Sequence, residues 1–561
     1  MRIKQIFALA FIGSSIIFSH SFYGHTVSVS AATETIDKYF QVEGTTLKKY
    51  TGNEENIVVP DGITVIGECA FEEVKDKIKT VSLPDSVVEI QECAFINTTL
   101  EKITFSKNVK KIGWRAFGGN KNLKEVSTLD GIEEIHINAF HDTPWLEEQK
   151  KKSSVIIFND ILYDARDYVG DLEIPNTVRK INDFAFHGNR ELTSIKIPNT
   201  VISIGSNAFD GCYNLTKITI PDSVTKIGSG AFSFCINLKE IVLPKHLKIV
   251  EDSLFSACNK LTKVVIPDSV VEIGKDIFSG CDSLEILDIP KSVKKIDLGR
   301  MDCPWIEKKR KENSLVIVNG NLIDATKSRG AVKIPKGVTR ISYDAFFNNK
   351  NVTSIVIPNT VTEIGESAFY YCTKIKTLTI PNSVKKMGGY VFYGCKKLEK
   401  IKLSNQLKIL PHGAFERCKA LKQITIPSSV TEIGSDPFSM CSSLKDIVVS
   451  GNVINASAFE YEYPRDLIVH APKGSYMEGV AKEAKVTFKP LAINKKLATI
   501  KRKETIQLHV GTDTTFTTWK SSNSSVASVN RSGKVTAKKK GTVTITGTLY
   551  GKKYICKIKV I

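Results

Sequence analysis

The sequence predicts a β-rich solenoid of short repeats followed by a small all-β sandwich, and two observations carry that prediction. Over most of the 561-residue chain, a proline or its substitute returns at an interval of 23 residues, with one apolar pattern between successive returns. After Pro490 this period stops, and the sequence becomes rich in Thr, Val and Ser. A fixed period of this length is typical of stacked repeats, whereas short strands between frequent turns are typical of a sandwich.

The repeat unit is clearest in IPDSVTKIGSGAFSFCINLKEIVLP, residues 220–244. Ile241 and Leu243 alternate with outward positions, which is the period of a half-buried strand, and the next proline ends that strand. Val224 and Ile227 mark the other side of the coil, where the spacing fits either a strand or an irregular turn. One unit cannot bury its own apolar columns, but stacked units share one core. Sixteen coils start at positions 60, 84, 106, 129, 175, 198, 221, 244, 267, 290, 335, 358, 381, 404, 427 and 450.

Eight of the twelve cysteines recur with the same period, at one position in each of eight coils. We expect buried free thiols whose weak S–H donors reach backbone carbonyls. Disulfides are an alternative, because export permits oxidation, whereas a string of metal sites is disfavoured because no CxxC motif or paired histidine accompanies the cysteines. The eight are Cys212, Cys235, Cys258, Cys281, Cys372, Cys395, Cys418 and Cys441.

The first residues predict export. A basic start, an apolar run over residues 6–18 and small residues near position 32 are the pattern of a secretory signal peptide, residues 1–32. We therefore expect a secreted or bacterial cell-surface protein after removal of this peptide, with no transmembrane segment in the mature chain. The net charge of +19 predicts attraction to acidic surfaces, and export makes nucleic acid an unexpected partner.

Two insertions of equal length interrupt the repeats. In each, a Pro-Trp pair at Pro144 or Pro304 suits the first turn of a short helix, and the Asn-Asp or Asn-Gly pair that follows suits a hairpin turn. Near the far end, Ser475 and Glu478 have the spacing of a helix cap. The predicted organisation is a capping hairpin over 33–59, a solenoid over 60–470 with hairpin cassettes near 142–174 and 302–334, a cap and linker over 471–490, and the sandwich over 491–561.

The unit IPxSVTxIGxxAFxxCxxLxxIxIP strongly resembles the BspA-like leucine-rich repeats of bacterial surface proteins, over roughly residues 55–470. The tail, with WKSSNSSVASVNRSGKVTAKKKGTVTITGT, looks like a group 2 bacterial immunoglobulin-like domain over 491–561. The resemblance implies a leucine-rich-type solenoid with an immunoglobulin-like sandwich. It further implies an exported protein that binds host matrix proteins, host cells or other bacteria.

The sequence predicts no catalysis and no cofactor or metal, because it contains no HExxH, GxSxG or phosphate-loop motif and its nine histidines do not follow the repeat. The predicted function is that of an adhesin or protein-binding module at the cell surface. One alternative is a cell-wall-associated scaffold without a specific ligand, and a second is an accessory domain of a carbohydrate-active surface system.

The predicted binding surface is the outer side of the strand that precedes each proline. Lysine and threonine dominate the positions that flank its inward residues, which suits an extracellular protein, an acidic glycan or a cell-wall polymer, bound by a monomer. The candidate binding residues are Lys196, Lys217, Thr219, Lys263, Thr377, Thr379, Lys400, Lys402, Gln423 and Thr425.

Overall fold

A computed structural model describes residues 38–449, 453–459, 462–510, 517–549 and 552–561, and the predicted signal peptide lies outside the described residues. The predicted fold class is confirmed. Parallel β coils stack on one another over most of the chain, and a small β-rich domain follows them. The helices of the described residues are short: one 3₁₀ turn, Glu72–Val74, and the α-helices Pro144–Lys152, Pro304–Glu312 and Tyr476–Glu483.

Each regular coil has two strands, one on each side. The longer strand precedes the proline, and a two-residue strand lies at the Val-x-x-Ile segment, where the sequence left strand and turn open. At most coil boundaries within a stack, each strand pairs in parallel with the same strand of the next coil, so that Ile195 lies beside Ile218 and Ile204 beside Ile227. The constant 23-residue shift therefore places like residues side by side, which is what aligns the apolar columns.

The longer strands form one side of the solenoid, which we call the strand face. In the first part of the chain they are Asn56–Val58, Thr80–Ser82, Lys102–Thr104 and Glu125–Val126. In the middle part they are Gly170–Glu173, Leu192–Lys196, Lys217–Thr219, Glu240–Val242, Lys263–Val265 and Ile286–Asp288. In the last part they are Gly330–Lys333, Val352–Val356, Thr377–Thr379, Lys400–Lys402, Gln423–Ile426, Asp446–Val449, Ile468–Ala471 and Thr487–Pro490.

The two-residue strands form the opposite side, and each of their three series begins with a hairpin. The first series is Phe40–Glu43, Thr46–Tyr50, Val65–Ile66, Glu89–Ile90, Lys111–Ile112 and Glu134–Ile135. The second is Ile156–Phe158, Ile161–Asp164, Lys180–Ile181, Ser203–Ile204, Lys226–Ile227, Ile249–Val250, Glu272–Ile273 and Lys295–Ile296. The third is Val316–Val318, Asn321–Asp324, Arg340–Ile341, Glu363–Ile364, Lys386–Met387, Ile409–Leu410, Glu432–Ile433 and Asn455–Ala456.

A column of stacked phenylalanines forms the centre of the core. Phe232 is fully buried, and its ring centroid lies 5.4 Å from that of Phe209 and 5.9 Å from that of Phe255, with nearly parallel planes. The cysteine column runs beside it. Cys235 Sγ donates to the carbonyl of Phe209 at 3.2 Å, and the other seven periodic cysteines make the same bond to the phenylalanine of the coil before. These are the buried free thiols and carbonyl contacts that the sequence analysis expected.

The solenoid consists of three stacks, each of which starts with a hairpin and has a short α-helix at its end, followed in the third stack by the strand Thr487–Pro490. We define the first stack as residues 40–152, the second as 156–312 and the third as 316–490. At the end of the first stack, Thr143 caps the helix by accepting from the Leu146 N–H at 3.2 Å. Trp145 stacks between Phe140 and Phe158, with centroid distances of 4.6 and 5.4 Å, so it joins the first stack to the hairpin of the second.

The cap of the third stack differs in detail from the prediction. Ser475 stands at the N-cap position of the helix Tyr476–Glu483, but its hydroxyl makes no capping bond and is buried without a partner among the described residues. Glu478 instead accepts from the Gly474 N–H at 2.8 Å. The carboxylate therefore reaches one residue further back than a capping box requires.

Polar side chains replace backbone pairing where two stacks meet. Between the first and second stacks, Asn182 Nδ2 donates to the Ile135 carbonyl at 2.8 Å. Between the second and third, Ser342 Oγ donates to the Ile296 carbonyl at 2.6 Å, and the buried Arg340 guanidinium forms a bidentate pair with Asp297 at 2.7 and 2.8 Å. The junctions thus add specific hydrogen bonds to the apolar contacts that the last helix of one stack makes with the hairpin of the next.

The second junction also buries the carboxylate of Asp344, whose charge is only partly offset by nearby cations. Asp344 is 5% exposed, its Oδ1 has no hydrogen-bond partner among the described residues, and its Oδ2 lies 3.6 Å from Arg300 Nε. Burial raises the pKa of Asp344 to about 7, and the nearby negative charges of Asp276 and Glu366 add to the rise, whereas Arg300 and Lys275 oppose it. The folded protein therefore holds this proton to a higher pH than the unfolded chain does.

Replacement of Asp344 by Asn is expected to stabilise the protein at pH 8 but not at pH 4. Because the folded pKa is raised, the stability linked to the protonated Asp344 is fully present below its unfolded pKa and is lost as pH rises to about 7. The gain at pH 8 is on the order of a few kcal/mol. Urea denaturation at pH 4, 6 and 8 measures it, with the exposed Asp268→Asn as control. The expectation is contradicted if the free energies of unfolding of wild type and Asp344→Asn differ by the same amount at all three pH values.

The C-terminal domain packs two sheets over a separate core. One sheet has the order Leu497–Ile500, Lys552–Val560, Gly541–Leu549 and Thr517–Ser521, and the other has Thr505–Gln507, Lys534–Ala537 and Ala527–Val529. Trp519 packs against this core, and Cys556 is buried in it as a free thiol. Within the described part of the chain, no helix has the length and apolar character needed to cross a bilayer.

Candidate ligand-binding face

The strand face has an alternating pattern that decides which side chains meet solvent. In Lys217–Thr219, Ile218 points into the core and its two neighbours are exposed, and the same order holds in Thr377–Thr379 and Lys400–Lys402. Parallel pairing then sets Thr377 beside Lys400 and Thr379 beside Lys402. The exposed side chains form two parallel rows that run from coil to coil.

Eight of the ten predicted binding residues lie exposed on this face, and two do not. Lys196, Lys217, Thr219 and Lys263 lie on the second stack, and Thr377, Thr379, Lys400 and Lys402 lie on the third. The prediction was wrong for Thr425, which is only 4% exposed, and Gln423 is half-buried.

The C-terminal domain covers this end of the strand face. Val448 lies beside Thr425 in the parallel sheet, and its side chain packs with Ile493 and Val510 of that domain. Thr425 therefore faces protein, and its hydroxyl has no hydrogen-bond partner among the described residues. The repeat pattern contains no signal for this packing, because it treats every coil alike.

A shallow groove on the third stack brings three of the predicted residues together. Its volume is about 530 Å³, and its lining includes Thr377, Thr379 and Lys402. Val356 lies in the same groove with 59% of its surface exposed. Ser354 and Asn382 add a hydroxyl and an amide, so the groove offers apolar, hydrogen-bonding and cationic groups side by side.

The strand face also exposes valines, which the predicted set of binding residues does not include. Val242 is 62% exposed and Val265 is 38% exposed, in the same row as Val356. Their position was visible in the sequence, because each follows an inward residue in an alternating strand. An apolar row flanked by lysine and threonine is a better description of the face than a purely polar strip.

The charges of the strand face are mixed at the start of the second stack. Lys196 Nζ lies 2.6 Å from Glu173 Oε1, and both side chains are largely exposed. Thr193 and Ser194 donate to Asp171 Oδ1 at 2.6 and 2.7 Å, and these hydrogen bonds lower the pKa of Asp171. Acidic ligands are therefore favoured less here than the charge of Lys196 alone would suggest. Among the described residues, no group of three His, Cys, Asp or Glu side chains is arranged to hold a metal ion.

Comparison with known protein families assigns the repeats. The family model described as BspA type leucine rich repeat region matches residues 45–169, 162–285, 225–352 and 339–464, which together span most of the chain. The chain belongs to the BspA-type leucine-rich repeat family. The model of the group 2 bacterial Ig-like domain matches residues 484–553, so the BspA-type repeats are followed by a domain of that class.

Solved structures of other leucine-rich repeat proteins are similar to this BspA-type chain. A leucine-rich repeat protein from Bacteroides ovatus is 23% identical, over 83% of this chain and 100% of that chain, with a TM-score of 0.26. A leucine rich cell surface protein from Faecalibacterium prausnitzii is 23% identical, over 82% of this chain and 95% of that chain, with a TM-score of 0.22. These TM-scores are too low to support an argument, and the family model carries the assignment. No curated protein matches the chain significantly.

Proposed function

We propose that this BspA-type protein is an exported, non-catalytic adhesin that binds an extracellular protein through the strand face. The observation that carries the proposal is the groove formed by Val356, Thr377, Thr379 and Lys402, which lies within a long, exposed surface. Such a combination of apolar, hydroxyl and cationic groups suits a protein partner with an acidic, partly apolar strip.

Binding measurements at two salt concentrations test this function. The mature protein is exposed to purified matrix proteins, heparin-like glycans and purified cell wall at 50 and 300 mM salt, and we expect saturable binding to one protein partner that persists at about 300 mM. Uniform loss of binding with salt would indicate charge alone and favour a wall-associated scaffold. Hydrolytic turnover of any of these materials would contradict the non-catalytic assignment.

A pair of double variants tests the groove itself. Val356→Asp with Lys402→Glu places two acidic groups in the groove, and we expect about a tenfold or greater loss of affinity for the protein partner. The matched control is Thr362→Asp with Lys385→Glu, which makes the same change in charge at exposed positions on the opposite side of the third stack. Equal losses for both double variants would place the binding surface elsewhere.

A further inference from the structure

The positive charge of the chain is concentrated in its C-terminal domain. Residues 491–561 contain fifteen lysines and arginines and two acidic residues, so they carry +13 of the net charge of +19. Such asymmetry indicates a polyanionic partner for the basic part of a chain. The excess lies outside the strand face to which the proposed function assigns binding.

The four-stranded sheet of this domain orders part of that charge on one surface. On the strand Lys552–Val560, the residues Lys553, Lys557 and Lys559 are exposed, whereas Cys556, Ile558 and Val560 are buried. The alternation of a strand therefore holds these three lysines on the outer side. Pairing adds a row of threonines on the neighbouring strand, with Thr544 beside Lys557 and Thr542 beside Lys559.

The surface extends to the edge strand Thr517–Ser521. Lys520 is exposed and lies beside Thr546, and Thr518 lies beside Thr548. We call the whole surface the lysine–threonine face, and it comprises Lys520, Lys553, Lys557, Lys559, Thr542, Thr544, Thr546 and Thr548. It places cations and hydroxyl groups side by side on one side of the sheet, with the exposed Ile555 between Lys553 and Lys557.

The domain has almost no negative charge with which to neutralise this face. Its only acidic residues are Glu504 and Asp513, and Asp513 lies outside the described residues. Glu504 Oε2 accepts from the Lys501 N–H at 2.8 Å, in a turn at the end of the strand Leu497–Ile500. Among the described residues, the four lysines of the face thus have no carboxylate partner, which leaves their charge available to a ligand.

We propose that the lysine–threonine face binds a linear polymer that carries a phosphodiester in each repeat, such as a polyol phosphate of the cell envelope. Lys557 and Lys559 are two residues apart on one strand, which sets their Cα atoms about 6.8 Å apart along it. A lysine ammonium acts as a point charge toward phosphate, and the threonine hydroxyls between the lysines can donate to the remaining phosphate oxygens. A chain with regularly spaced phosphates can therefore lie along the strands.

Two other polyanions fit this face less well. Single-stranded nucleic acid needs aromatic side chains on which its bases stack, and the described residues of the lysine–threonine face include none. An anionic membrane needs a substantial apolar surface to insert, and the large apolar side chains that the described strands place at this face are two, Leu497, beside Lys557, and Ile555, beside Thr546. The extended phosphate polymer uses the charges and hydroxyls without either requirement.

Two triple variants of the full mature chain test the proposal. The first variant removes three charges from the face by the substitutions Lys553→Gln, Lys557→Gln and Lys559→Gln. The control variant removes three charges from an exposed run that follows the strand Lys534–Ala537, by the substitutions Lys538→Gln, Lys539→Gln and Lys540→Gln. The probe is poly(glycerol phosphate), with binding measured by calorimetry at 150 mM salt. We expect the face variant to lose affinity about tenfold or more and the control to change by less than about threefold.

Four outcomes would overturn the proposal: equal losses for the two variants, no binding of wild type to the polymer, or tighter binding to heparin or to vesicles that contain phosphatidylserine. The double variant of the strand-face groove supplies an independent check. It is expected to bind poly(glycerol phosphate) as wild type does, so the failure of either proposal can be told from the failure of the other. Circular dichroism confirms that the variants are folded.

Discussion

Phe232→Ala is expected to lower the free energy of unfolding by about 3–5 kcal/mol, which is among the largest single effects in this protein. The side chain is fully buried between Phe209 and Phe255, so its removal leaves a cavity in the middle of the aromatic column. The neighbouring coils cannot close this cavity, because each is held in register by its own strands. Chemical denaturation of the mature chain measures the change.

The matched control for this substitution lies two residues away. Phe234 is 44% exposed, and Phe234→Ala is expected to change the free energy of unfolding by less than about 1 kcal/mol. Hydrogen exchange adds a spatial readout, since stability in a stacked array is largely local. We expect Phe232→Ala to lower protection mainly in the second stack. Equal effects of the two alanine variants would show that the phenylalanine column is not the structural centre of the coil.

Arg340→Met is expected to cost about 3–5 kcal/mol, because it leaves the carboxylate of Asp297 buried without its cation. Asp297 is 3% exposed and accepts both guanidinium hydrogen bonds at 2.7 and 2.8 Å. The pair joins the last coil of the second stack to the first coil of the third. Its loss is therefore expected to separate the unfolding of these two stacks, which denaturation would record as two transitions.

A double variant distinguishes the lost ion pair from lost packing. Arg340→Met with Asp297→Leu removes both charges, and we expect most of the stability to return, because an apolar pair of similar size can replace a buried ion pair. The exposed pair of Lys196 and Glu173 is the control, and Lys196→Met is expected to have little effect. A double variant as unstable as Arg340→Met alone would mean that packing, not the unpaired charge, caused the loss.

The regular coil was predictable from sequence because it depends on a repeated constraint. Each inward position, such as Phe232 or Cys235, must match the same position in the coils above and below, so the period itself reports which side chains share a column. Family resemblance and structure agree on this region, as they do on the immunoglobulin-like class of the C-terminal domain. The threonines and lysines of the middle coils were exposed where the alternation predicted.

The predictions that were wrong or left open concern places where a coil packs against a segment that is not a regular repeat. Thr425 has an ordinary outward position in the repeat, yet the C-terminal domain covers it. Arg340 has the same position in its coil as Lys180 and Lys226, but it is buried because Asp297 lies opposite it across the junction. Neither contact is encoded in the 23-residue period.

By itself, the sequence determined the coil, its inward columns and the outward rows of the strand face, because local alternation and a constant period leave one consistent way to stack the units. Only the tertiary structure decided the two-residue strands, the polar junctions between stacks, the covered end of the strand face and the lysine–threonine face of the last domain. These features arise from contacts between segments that do not repeat one another. Their geometry depends on how whole units pack, which no local spacing records.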